Sequence, residues 1–131
     1  MATDNTRFTE TRIAGENLDN AEAGTGHIHK AIAEDGLLAS ETKSAIGIIQ
    51  TVGKQGEHIT CSYLGMLKFV AATPIDTPDA PLVTANSGYM RVAVTSDSFI
   101  ARFRGGTNGT RSVSSGGVGV AVFNFITPVK L

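Results

Sequence analysis

Apolar and polar residues alternate with a period of two along most of this chain, which is the repeat of half-buried strands rather than of helices. His27 to Ala33 opens the series, with Ile28 and Ile32 on the face opposite His27 and His29. Glu34-Asp35-Gly36 follows, and Asp-Gly predicts a hairpin turn because glycine takes the positive φ that such turns need. Ala45 to Val52 sets Ile46, Ile48 and Val52 on one face and Ile49 on the other, and Gly53-Lys54-Gln55-Gly56 turns the chain. Ile59, Cys61 and Tyr63 form an inward face against Thr60 and Ser62; Gly65 breaks the run and Met66 to Ala72 resumes it. Three prolines between Thr73 and Pro81 predict a stiff loop outside the sheet, since proline donates no ladder hydrogen bond. Leu82 to Ala85 is a short strand, and Asn86-Ser87-Gly88 a turn. Met90, Val92 and Val94 then oppose Tyr89, Arg91, Ala93 and Thr95, and Phe99, Ala101 and Phe103 oppose Ile100, Arg102 and Arg104. Residues 105–117, rich in Gly, Ser, Thr and Asn, read as a mobile loop. Val118 to Ile126 is apolar on both faces, the mark of a central or interface strand.

Helical signals are short. The stretch Asn17 to Ala23, closed by Gly24, predicts one or two turns, and Ser40 is placed to cap a turn at Glu41-Thr42-Lys43. Short strands separated by turns predict an all-β fold, a small β-sandwich or barrel of β-tulip-like form with little helix. The chain divides into an extended N-terminal arm, residues 1–23, and a β-rich domain, residues 24–131.

Charge and size narrow the partners. Twelve acidic residues against eleven basic ones give a net charge of −1, which exerts no global pull toward nucleic acid or an anionic membrane. Charged residues are sparse at 18%, which fits burial of part of the surface in an oligomer. With one cysteine there is no internal disulfide, and Cys61, within an alternating run, reads as a small buried hydrophobe. No apolar run approaches the ~18 residues of a membrane span. The first residues lack the basic-then-apolar order of a secretory signal, so synthesis in a cytoplasm is expected.

Tests for chemistry return little. His27 and His29, two apart on a strand, project to one side, but no Cys, Asp or Glu at recognisable spacing completes a metal set. No G-x-S-x-G elbow is present, and Glu34-Asp35 is turn chemistry. The stretch from Arg104 to Arg111 has neither G-K-[ST] nor a following helix, so it is no phosphate loop, and its single Arg-Gly-Gly is no RNA-binding tract. Arg102, Arg104 and Arg111 read as a solvated rim or as interface ion pairs, and Asn108-Gly109-Thr110, a glycosylation sequon by pattern, as a turn. The expectation is a protein that is not an enzyme, with no catalytic residue, no metal and no cofactor.

That leaves the leading residues, MATDNTRFTETR. Thr3, Thr6, Thr9 and Thr11 favour extended backbone. Phe8 is placed to anchor in a pocket while the main chain adds a strand to a neighbour's sheet edge, and Arg7 and Arg12 to pair with carboxylates there. Thr6, Arg7, Phe8, Thr9 and Arg12 are thus the candidate binding residues.

The runs Lys30-Ala31-Ile32-Ala33-Glu34-Asp35-Gly36, Ala45-Ile46-Gly47-Ile48-Ile49, Gly65-Met66-Leu67-Lys68-Phe69-Val70 and Gly88-Tyr89-Met90-Arg91-Val92-Ala93-Val94 resemble tailed-phage head decoration, or capsid cement, proteins. The resemblance spans about residues 24–104 and is one of turns and strands; residues 105–117 and the apolar final strand fall outside it. It implies a β-rich body with an N-terminal arm that binds the major capsid protein as a homo-oligomer, a trimer in that class. The location it implies is the outer capsid surface of a virion, where the protein stabilises the shell without touching nucleic acid or membrane. Another phage structural subunit (tail, fibre or baseplate) and a small ligand-binding β-barrel stay open as alternatives, though the lack of Trp weighs against sugar stacking.

Overall fold

The computed structural model describes residues 8–19 and 26–131. Ten strands follow one another: β1 (Phe8–Ile13), β2 (Ala31–Ala33), β3 (Ala45–Ile49), β4 (His58–Val70), β5 (Pro81–Thr84), β6 (Met90–Val92), β7 (Ser98–Phe99), β8 (Ala101–Gly106), β9 (Val118–Asn124) and β10 (Val129–Lys130). The only helical pieces among the described residues are 3-10 turns at Asn86–Gly88 and Thr107–Gly109, so the expected all-β architecture is the one found.

Eight strands form one sheet in the order β2-β3-β4-β9-β8-β5-β6, with β1 as an additional partner of β4; β7 and β10 pair separately. All ladders between named strands are antiparallel. A lone parallel bridge, Ala71 to Met90, then brings the β6 edge back to the end of β4. Strands β4, β9, β8, β5 and β6 therefore curl into a nearly closed barrel, and β1, β3 and β2 extend from the first half of β4.

Two apolar clusters follow from this division. Inside the barrel, Phe69, Phe103 and Phe123 are fully buried, with the Phe69 ring edge-on to the other two at 6.2 and 6.3 Å between centroids. Beside it, Ala14, Leu18, Ile32, Ile49, Ile59 and Cys61 fill the wing. The alternation at Ile59 and Cys61 and at Phe99, Ala101 and Phe103 buries the residues expected to be inside, and Arg102 and Arg104 stay exposed.

Several expectations change. Gly65 does not break β4: it lies within a continuous strand at φ 109°, because β1 pairs with residues 58–64 and β9 takes over from Leu64 to Val70. His27, Ile28 and His29 form a turn rather than strand, with His29 at φ 69°, so the two histidines do not share a strand face. The stretch from Asn17 to Asp19 is not helical; residues 20–25 lie outside the described residues. The glycine-rich segment is knitted into the barrel end. Ile75 and Val113 exchange backbone hydrogen bonds, Ser115 Oγ donates to the Ala72 carbonyl, and the Gly116 amide donates to that of Ala71. Polar composition hid this docking, which uses main-chain groups, the Ser115 hydroxyl and one buried apolar side chain, Val113.

The expected hairpin at Asp35-Gly36 forms, with Asp35 Oδ1 accepting from the Leu37 amide at 3.1 Å and Gly36 at φ 84°. Gly36 also serves a long-range contact: a Cβ there would lie 2.1 Å from the Ile13 carbonyl oxygen. Gly36→Ala is expected to destabilise the fold by about 3 kcal/mol, from left-handed strain plus this clash, measured as a lowered urea midpoint at unchanged slope.

Candidate interaction surface

The stretch expected to be a loose arm is, from Phe8 to Leu18, tied to its own body. β1 pairs with β4 from Ile13 opposite His58 to Thr9 opposite Ser62, with a bulge before Phe8. Beyond it, the Ala14 amide donates to the Glu57 carbonyl, the Gly15 amide to Gly36 and the Leu18 amide to Gly53. Glu16 Oε2 accepts from the Leu38 amide, Asn17 Oδ1 accepts from the Gln55 amide, and Leu18 is fully buried. The sequence concealed this because β1 buries little side chain; main-chain pairing holds it.

Of the five candidate binding residues, Thr6 and Arg7 lie outside the described residues. Phe8 is 47% exposed and tilts against Tyr63 at 6.1 Å between ring centroids. Thr9 is exposed on β1. Arg12 Nη2 donates to Glu10 Oε1 of the same strand at 3.2 Å. Arg102 and Arg104 both face Asp79, at 3.6 and 2.9 Å. Arg102 also stacks over the Phe99 ring at 4.8 Å.

Around Phe8 the outer face of the sheet is unexpectedly apolar. Phe8, Leu64, Gly65, Met66 and Leu67 line, with Gln50 and Ser62, a hollow of about 450 Å³. Met66, 62% exposed, stands opposite Val122 on β9, and Val122 in turn stands opposite Arg102 on β8. Val122 and Val129 share a second hollow. An exposed stripe thus runs Phe8, Met66, Val122, Val129 across four elements, with Lys68 and Arg102 beside it. Besides Phe8, the two-faced apolarity of residues 118–126 was the sequence signal for it; the central position of β9 and the exposed Val122 are both seen.

Several other titratable groups are tied into the fold. Burial pushes the Cys61 thiol up to about 11, with the Glu10 carboxylate adding to the effect, so it is a poor nucleophile at neutral pH. The Asp97 carboxylate accepts from the Val94 amide and from Arg91, which holds it below the usual carboxylate range; Arg91 also reaches Glu41. Lys30, buried, contacts His27 Nδ1 at 3.1 Å and lies over the Tyr89 ring at 4.6 Å. Among the described residues no group of three His, Cys, Asp or Glu is placed to hold a metal.

No family model matches the sequence, and no curated protein does. Among solved structures, the crystal structure of the N base of head fiber gp8.5 in bacteriophage phi29 superposes at a TM-score of 0.67 with 14% identity, over 94% of this chain and 96% of that one. The two chains share a fold. The likeness extends over nearly the whole of both chains.

The histidines generate a prediction. Burial, then the Lys30 charge, lowers the His27 pKa below its ordinary value, and burial, then Lys68, lowers that of His29. The unfolded chain then binds more protons than the folded one near pH 6, so stability is full above the ordinary histidine range and falls as pH drops through it. The urea midpoint is expected to decline between about pH 7 and pH 5, and to decline less in a His27→Gln/His29→Asn variant, asparagine being chosen for the positive φ at residue 29.

Proposed function

We propose that this chain is a non-enzymatic structural component of a phage particle, a base that sits on the outer face of the head shell as a homo-oligomer and stabilises it. The observation that carries the reading is the whole-length fold likeness to a phage head-fibre base. The exposed apolar stripe supports it, since an isolated domain gains nothing from leaving Phe8, Met66, Val122 and Val129 in water. The major capsid protein is the proposed partner. Several copies on one site multiply modest contacts, so the holding power of an oligomer exceeds that of each subunit.

A second reading has its own support. The matched chain is described as the base of a fibre, so this domain would present further structure outward rather than act as cement. Both readings place it on the head and differ in whether the shell gains strength.

Co-sedimentation of the purified protein with purified shells, alongside light scattering of the protein alone, tests the proposal. The expected result is an oligomer that pellets with heads and raises the temperature at which they rupture. Binding without added strength favours the fibre-base reading, and attachment to tails alone rejects both. Met66→Asp/Val122→Asp, outward-facing changes that leave the barrel interior intact, are expected to lower attachment at least tenfold while the circular dichroism spectrum stays unchanged.

A further inference from the structure

The hollow beside Phe8 is also a gap in the sheet. Along β4, the Tyr63 carbonyl accepts from Phe125 and the Ala71 amide donates to Gly117, so odd-numbered residues turn their main chain toward β9. Even-numbered residues turn theirs the other way, as the Thr60 carbonyl does in accepting from the Gln50 amide just beyond β3. On that side β3 reaches only as far as Ser62, and the next contact is the Ala71 to Met90 bridge. Among the described residues no strand is hydrogen-bonded to Leu64, Met66 and Lys68 on this edge, and no backbone hydrogen bond uses their outward amides and carbonyls. The slot is floored by the apolar hollow of about 450 Å³ and carries one exposed cation, Lys68, which has no ion-pair partner among the described residues.

We propose that this open edge of β4 accepts, as an added strand, residues 1–7 of a second copy of the chain. The proposal rests on the oligomeric reading above and names its contact. Three observations select this occupant. A strand covering residues 64–68 spans about 17 Å, and seven extended residues reach about 23 Å. The segment MATDNTR holds one carboxylate, Asp4, to set against Lys68, and two threonines suited to extended backbone. Phe8, which follows the segment in the chain, already lines the hollow, but β1 runs on the β9 side of β4. To fill its own slot the same chain would have to cross over the outward side chains of Leu64 and Met66, which makes a second copy the proposed donor of the strand.

The test is an oxidative cross-link between two full-length variants, Ala2→Cys and Met66→Cys, with the buried Cys61 left in place. The mixture is expected to give a disulfide-linked dimer containing one of each, which neither variant gives alone. Lys68→Glu is expected to lower the yield about fivefold, the size of one exposed ion pair, and Asp4→Lys in the other chain to restore it. No mixed dimer, in a protein that still forms oligomers and pellets with shells, overturns the inference and leaves the proposed function standing. A monomeric cross-link in the Ala2→Cys/Met66→Cys double variant, without mixed dimers, also overturns it, because the segment then fills its own slot. A protein that neither self-associates nor binds shells overturns both.

Discussion

Strand β4 is the constraint on which the rest of the molecule depends. Thirteen residues long, it is shared by two assemblies: its first half joins β1 and β3, and its second half joins β9 and, past its end, the β6 bridge. The same side of the strand places Ile59 and Cys61 in the wing cluster and Phe69 among the barrel phenylalanines. Slipping β4 by one residue would turn both sets outward at once, so its register is fixed twice over. Gly65, at the handover between β1 and β9, makes this possible: its φ of 109° changes the course of the strand without interrupting the ladder, at little cost to a residue without a side chain.

Much of the barrel was legible in the sequence because its walls bury one face. Phe99, Ala101 and Phe103 against Ile100, Arg102 and Arg104 could only be a strand with its phenylalanines inward, and the Asp35-Gly36 turn carried its own conformational reason. What was not legible shares a different physics. β1, the docking of residues 14–18 and the glycine-rich segment are held chiefly by main-chain hydrogen bonds, with Glu16, Asn17 and Ser115 adding one side-chain bond each, so their partners are set by topology more than by side-chain pattern. Ala14, Leu18 and Val113 are the buried apolar anchors of these stretches, too few in each to show a period. The break expected at Gly65 failed for the converse reason: glycine often ends a strand, but partners on both flanks of this one override the local preference. Of the candidate surface, Phe8 and the two-faced strand at 118–126 were visible beforehand. Met66 was not, since reading it as part of a separate strand hid its alignment with Val122.

The placement of β1 changes what an N-terminal contact can mean. Had residues 1–12 been a free tail, the whole of it would have to be ordered on binding, at about 1–2 kcal/mol of backbone entropy per residue. Residues 8–13 are paired already in the described fold, so they add nothing to that cost. The Phe8 ring is likewise held against Tyr63 before any partner arrives. A preordered stem raises the net affinity of a short added strand without adding a single contact.

An open edge in a nearly closed barrel is a hazard as well as an opportunity, since unpaired amides and carbonyls template pairing with any extended chain. Two features at the slot restrain that. Lys68 puts a charge on the edge itself, which an apolar strand would have to desolvate without compensation. Gly65, at φ 109°, sets a departure from flat strand geometry in the middle of the edge. Indiscriminate stacking is disfavoured by both, while a short polar segment carrying one carboxylate meets neither penalty in full. The same residues that keep the edge from aggregating therefore narrow the chemistry of what it accepts.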